Sequence, residues 1–186
     1  MKRKPVKFVS VIICLLLVVA LASTLIIPIF NINLNIGGVE SGFVDITGLD
    51  IIKILFGSTE DFASQPESIQ TLLTFLNRGL VNVGQYINPM YINTMMITYV
   101  VSICLSIIML ITTLFNFAGI RFSVINVFCG LGTMVCGIIS AVCIILQKGE
   151  LVNNILLEYD FRLAIGVVIL IVAGFVYMMV APKKRV

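Results

Sequence analysis

Residues 91–146 read YINTMMITYVVSICLSIIMLITTLFNF, then AGIR, then FSVINVFCGLGTMVCGIISAVCIIL. Two apolar stretches free of Lys, Arg, Asp and Glu are joined by four residues that hold one charge, Arg121. About 20 mostly apolar residues in a helix cross a hydrocarbon core, and lipid satisfies no exposed backbone group. The pair is therefore predicted to be two spans, residues 91–117 and 122–146, with a cytoplasmic turn at 118–121. Pro89 stands just before the first, where a missing N–H costs nothing.

Working outward, residues 163–181 and 8–30 have the same character, and Pro182 closes the former. Composition agrees. Of 186 residues, 60% are hydrophobic and 11% charged, with no His and no Trp. Soluble chains carry roughly a quarter charged residues. Collagen, coiled coil, disordered tail and disulfide-knotted domain are excluded. The expected fold is an all-α membrane protein, a four-helix bundle.

Charge sets the expected orientation. Lys2, Arg3, Lys4 and Lys7 precede the first span, Arg121 lies in the turn, and Lys183, Lys184 and Arg185 follow the last. These eight cations fall on one side with no acid among them. The other side, residues 31–90 and 147–162, holds all nine acids and four cations, so the net +3 divides into +8 and −5. The positive-inside rule then predicts a basic cytoplasmic N-terminus at 1–7 and a basic cytoplasmic tail at 182–186. A rival reading takes residues 8–22 as a secretory signal, with Ala20-Leu21-Ala22 before Ser23 as its cleavage site. The apolar run continues through Phe30 and retention gives an even span count, so an uncleaved first helix is the expectation. No Asn-x-Ser/Thr acceptor occurs, which fits a bacterial cell membrane.

Residues 31–90 are too long for an idle connection. Asn31-Ile32-Asn33-Leu34-Asn35-Ile36 alternates strictly and predicts a strand; Gly37-Gly38 supplies a turn, and 39–47 returns, with Gly42 as a candidate bulge. Thr47 or Gly48 opens a short helix ending at Phe56, before Gly57. Ser64-x-x-Glu67 reads as a capping box for a second helix carrying Ile69, Leu72, Leu73 and Leu76, with Gly79 as its stop. Residues 80–88 are ambiguous. An extracellular hairpin plus two short helices is expected to cap the bundle, leaning on it or on lipid headgroups. The segment 147–162 is read as a plain extracellular loop.

This layout, with Ser41-Gly42-Phe43 and the run from Thr47 through Gly57 in the loop, resembles small uncharacterised four-span proteins of bacteria. It is distantly similar to the claudin-like tetraspan arrangement. The resemblance implies a structural or accessory role and transfers no site. Claudin loops carry Trp and a Cys pair; this chain has no Trp, and its cysteines lie in the spans.

Candidate chemistry is sparse. Cys129, Gly132, Thr133, Cys136, Gly137, Ser140 and Cys143 form a small-residue stripe, with Cys14 and Cys104 elsewhere. The stripe is read as a helix-packing seam, since small residues admit close approach and Cys behaves as a small apolar group. A metal or redox site is the rival, without His or acid to complete it. Thr94, Thr98, Ser102 and Ser106 recur every four residues. They line either a solute path or a hydrogen-bonded contact with the stripe, and packing is favoured. Gly166, Ala173 and Gly174 offer a comparable contact surface on the last span. The outer acids Asp45, Asp50, Glu60, Asp61 and Glu67 match no calcium loop and read as solvated.

No span contains an ionisable Asp, Glu, Lys, Arg or His. Proton relays, voltage sensors and intramembrane proteolysis therefore lack their residues, and no cofactor or nucleotide motif is present. The expectation is a non-enzymatic component of a membrane assembly or cell envelope. Its expected partners are the lipid bilayer and other membrane proteins or itself, with no nucleic acid. A small transporter or channel subunit using the Thr/Ser face of residues 91–117 is the alternative.

Overall fold

The computed structural model describes residues 8–36, 39–57, 65–76, 89–117, 120, 122–149 and 157–181. These form six helices and one three-stranded sheet. In chain order they are α1 (Phe8–Ser23), β1 (Pro28–Ile36), β2 (Val39–Thr47), α2 (Gly48–Phe56), α3 (Glu67–Phe75), α4 (Pro89–Phe117), α5 (Ser123–Gly149), β3 (Leu157–Leu163) and α6 (Ile165–Val180). The eight basic residues read as topology anchors lie outside the described residues. So do Gly37-Gly38, Glu60, Asp61, Ser64, Gly79 and residues 80–88.

Of the described helices, α4 and α5 are long and apolar enough to cross a membrane. Each of α1 and α6 runs for 16 residues, about 24 Å at 1.5 Å per residue. The four pack in a closed ring in which α5 touches α4 and α6, and α1 touches the same two. The Ser10 hydroxyl donates to the Val180 carbonyl at 2.7 Å, so α1 starts and α6 ends at one end of the ring. That is also the end of the α4–α5 link, and the sheet sits at the opposite end.

Two expected boundaries are corrected. The first helix stops at Ser23 instead of reaching Phe30, and a turn at Thr24–Ile27 leads into β1 at Pro28. Proline offers no N–H to Thr24 and would clash with its carbonyl, so the helix ends although the apolar run continues. The last helix starts at Ile165, because Leu163 is held in β3 opposite Phe30. A third correction concerns residues 147–162, which are not a plain loop. α5 extends to Gly149, and β3 completes the sheet in the order β2-β1-β3, all antiparallel. The chain is mostly helical, and the expected hairpin is extended by β3 into a three-stranded sheet that joins two distant segments.

The hairpin forms where alternation places it. Asn33 pairs with Phe43 and Asn35 with Glu40, so Ser41 and Gly42 together oppose Leu34, the bulge expected at Gly42. A second bulge falls at Ile29, between the pairs Pro28–Thr47 and Phe30–Ile46. Ile29 is fully buried, its carbonyl accepts from the Ala164 N–H at 3.2 Å, and its side chain abuts Gly166 of α6.

Thr47 caps α2 in a reciprocal box. The Thr47 N–H donates to Asp50 Oδ2 at 3.0 Å, and the Asp50 N–H donates to Thr47 Oγ1. Two orphan donors of the first turn are thereby satisfied. The core of this cap, Ile46, Ile51, Ile54, Ile69 and Leu72, is continuous with that of the ring through Met95, Met96 and Tyr99 of α4.

Candidate functional site

Buried polar residues of the two long helices collect on facing sides of α4 and α5. On α4, Ser102, Ser106, Thr112, Thr113 and Asn116 are buried, and Thr94 and Thr98 are half-buried. On α5, Asn126, Thr133, Ser140 and Gln147 are buried among Cys129, Cys136 and Cys143. Steps of three and four residues keep each set on one face, so the two ladders meet along the whole contact.

Most hydroxyls in the middle of this seam bond to their own helix. Ser102 donates to the Tyr99 carbonyl and Ser106 to that of Ser102, each at 2.7 Å. Thr133 and Ser140 donate four residues back, to Cys129 and Cys136, each at 2.9 Å. Two bonds cross between the helices here: Thr98 Oγ1 and Ser140 Oγ share one at 2.9 Å, and Thr133 Oγ1 donates to Met109 Sδ at 3.7 Å. Back-bonding to the i−4 carbonyl is the usual recourse of Ser and Thr inside a helix.

The small-residue stripe is divided between two neighbours. Gly132 faces α4, where an added Cβ would lie 2.8 Å from Leu105 Cδ1. Gly137 faces α6, where a Cβ would meet Ile171 Cγ1 at 2.8 Å and the Ile171 nitrogen at 3.1 Å. The tightest α5–α6 approach runs through Gly130 and Gly174. Gly130 lies seven residues before Gly137 and so on the same side of α5, although the stripe read from the sequence leaves it out. Ala173 is buried, and Gly166 serves the junction with β1 instead of a helix contact.

At the link end a second polar group appears that the sequence reading did not assemble. The Tyr177 hydroxyl of α6 shares a hydrogen bond with Thr113 Oγ1 at 2.9 Å and lies 3.3 Å from Thr112 Oγ1. The Met109 carbonyl at 3.1 Å and Asn126 Oδ1 at 3.4 Å are further acceptors within reach of its single proton. Asn126 Nδ2 and both polar atoms of Asn116 are buried without a protein partner. The same holds for both polar atoms of Gln147 at the sheet end, beside a small crevice lined by Tyr91, Ile92, Met95, Cys143 and Ile144. The available signal was the continuation of the expected ladders: Asn116 extends the α4 face, and Asn126 and Gln147 bracket the α5 one.

The five cysteines are unpaired, and Cys104 is exposed while the other four are buried. Among the described residues no group of three or more His, Cys, Asp or Glu gathers as a metal site. Of the outer acids, Asp45 accepts a hydrogen bond from Asn31 Nδ2, Asp50 closes the α2 cap, and Glu67 is exposed on the first turn of α3. Arg162 of β3 stacks over the Phe43 ring of β2 at 3.9 Å, spanning the sheet. Family models, curated proteins and solved structures were all compared with the chain, and none matches.

Proposed function

We propose that this chain is a four-span, non-enzymatic membrane protein, a structural or accessory component of a membrane assembly or cell envelope. It acts through helix packing and its outer cap, with both termini cytoplasmic in a bacterial cell membrane. The observation that carries this reading is the β1–β3 pairing, which unites two outer segments in one sheet whose core continues into the bundle. A cap built in this way presents a fixed surface to a partner. The long helices support the membrane placement: α4 exposes Ile97, Val101, Ile107, Ile111 and Leu114, and α5 exposes Val135, Ile138, Val142 and Ile145. Apolar surface on that scale is at home in lipid and costly in water.

The test places a photo-crosslinking residue at exposed Phe43 in living cells. A discrete adduct with another membrane protein, or with a second copy, is expected. A lone monomer on purification together with an absence of adducts would sink the proposal.

A small channel or transporter subunit is the second reading. It is favoured by the unpartnered amides at both ends of the α4–α5 seam, Gln147 at one and Asn116 and Asn126 at the other. Against it stand the back-bonded hydroxyls between them. A solute flux in reconstituted vesicles that disappears in Thr98→Val would decide for this reading.

A further inference from the structure

Helix α2 reads Gly-Leu-Asp-Ile-Ile-Lys-Ile-Leu-Phe and is apolar on both sides. Ile51 and Ile54 face the core, while Leu49 is 43% and Phe56 74% exposed, with half-buried Ile52 between them. Leu49, Ile52, Lys53 and Phe56 fall at i, i+3, i+4 and i+7, one outward stripe. Asp50 is committed to the cap, which leaves Lys53 as the polar residue of that stripe. Exposed apolar side chains opposite the core-facing ones leave an outward surface that calls for a cover.

Its position identifies the cover. The Leu49 N–H donates to the Leu25 carbonyl at 2.9 Å, just past the end of α1. At Gly48 an added Cβ would lie 2.8 Å from the Thr24 carbonyl and collide with the Tyr99 hydroxyl. So α2 begins level with Thr24 and Tyr99. From Tyr99 to the last residue of α4 is eighteen residues, about 27 Å of helix. Below the same level, α1 supplies about 24 Å. Both lengths lie close to the ~30 Å hydrocarbon core of a bilayer. The outer boundary of that core therefore runs where α2 begins. Ile26, 74% exposed beside Leu25, continues the apolar surface from α1 toward α2.

We propose that α2 lies in the outer-leaflet interface, with Leu49, Ile52 and Phe56 against the upper acyl chains and Lys53 among the lipid phosphates. The proposal rests on the membrane-spanning reading above. A Lys on the polar edge of an apolar stripe is the pattern of an interfacial helix. The cap is thus held to the membrane at its side as well as to the bundle below, and bilayer composition bears directly on its seating.

The chain contains no Trp, so Phe56→Trp, Leu49→Trp and Phe175→Trp each create a sole tryptophan, excited selectively at the red edge away from the tyrosines. Each variant is reconstituted into phosphatidylcholine–phosphatidylglycerol vesicles in which the phosphatidylcholine is brominated near the top of its acyl chains. Phe175 is exposed on α6 and reports the span itself. Both α2 reporters are expected to emit at blue-shifted wavelengths and lose about half of their intensity, as a shallowly inserted side chain would. Water-like, unquenched emission from both α2 reporters beside a quenched Phe175→Trp overturns the proposal and leaves the spanning reading standing. Blue-shifted but unquenched α2 reporters also overturn it, since the cover is then protein. An unquenched Phe175→Trp in vesicles brominated at mid-chain removes the spanning reading, and this inference with it.

Discussion

Gly130 of α5 and Gly174 of α6 meet without a side chain between them. A Cβ on Gly174 would lie 2.9 Å from the Gly130 carbonyl oxygen, and one on Gly130 would lie 2.8 Å from that of Gly174. The neighbours are backbone atoms, which cannot swing aside as a side-chain end can. Close approach of this kind supplies dispersion contact where lipid gives helices no hydrophobic reason to associate.

Gly174→Val should accordingly cost about 1–3 kcal/mol or more, because its branches must enter occupied space beside the Met134 nitrogen. Reversible unfolding in mixed micelles measures this. Val172→Leu, two residues away on the exposed face, serves as the control and should leave the midpoint in place.

Tyr177→Phe removes the hydroxyl that links α6 to Thr113 and the Met109 carbonyl of α4 and to Asn126 of α5. The expected loss is about 1–2 kcal/mol, since interhelical hydrogen bonds in membranes are modest and here several groups lose one partner together. Asn126→Leu in the Tyr177→Phe background should cost less than Asn126→Leu alone. Additive losses in that double-mutant cycle would show that the two residues are not coupled.

Thr98→Val deletes the bond to Ser140 that crosses the middle of the seam. A decrease of about 0.5–1.5 kcal/mol in unfolding free energy is expected. Ser102→Val, which removes a hydroxyl bonded to the Tyr99 carbonyl of its own helix, should be felt mainly through packing. Unchanged stability in Thr98→Val would mean the Thr98–Ser140 contact is not part of the packing.

Asn31 of β1 lies opposite Arg162 of β3. The double substitution Asn31→Cys, Arg162→Cys should form a disulfide under mild oxidation, because facing residues of an antiparallel pair fall within reach of one. Mass spectrometry after alkylation reads the outcome. Full alkylation of both introduced thiols would place β3 elsewhere.

Thr47→Ala removes the half of the α2 capping box made by the hydroxyl, so the Asp50 N–H loses its acceptor while the backbone N–H of residue 47 still donates to Asp50 Oδ2. About 0.5–2 kcal/mol should be lost. Hydrogen exchange at Leu49 through Ile51 should rise more than exchange in α5.

Local rules made much of this chain legible before any contact was known. The charge-free runs marked α4 and α5, the two-residue alternation marked β1, and Thr47 or Gly48 ahead of an apolar run marked the start of α2. Each is a relation between residues a few positions apart. The end of α1 was also locally written, in Pro28, but apolar residues on both sides masked it. Leu157, Tyr159, Phe161 and Leu163 alternate like a strand, yet alternation names no partner. Only the fold sets β3 beside β1, 121 residues earlier at the Ile36–Leu157 pair, and thereby delays the start of the last helix to Ile165.

The stripe on α5 shows the same division. Spacing placed Gly132 and Gly137 on one broad face, but five residues turn a helix by about 140° beyond one full revolution. Which neighbour each glycine meets is decided by where α4 and α6 stand. Likewise Tyr177 reads from sequence as one more apolar residue of a span. Its hydroxyl becomes a junction because folding brings it to Thr113, 64 positions away. Hydrophobic length and turn chemistry are properties of the chain alone. The partner of a buried polar atom is a property of the packed molecule, because only packing removes the water that would otherwise bind it.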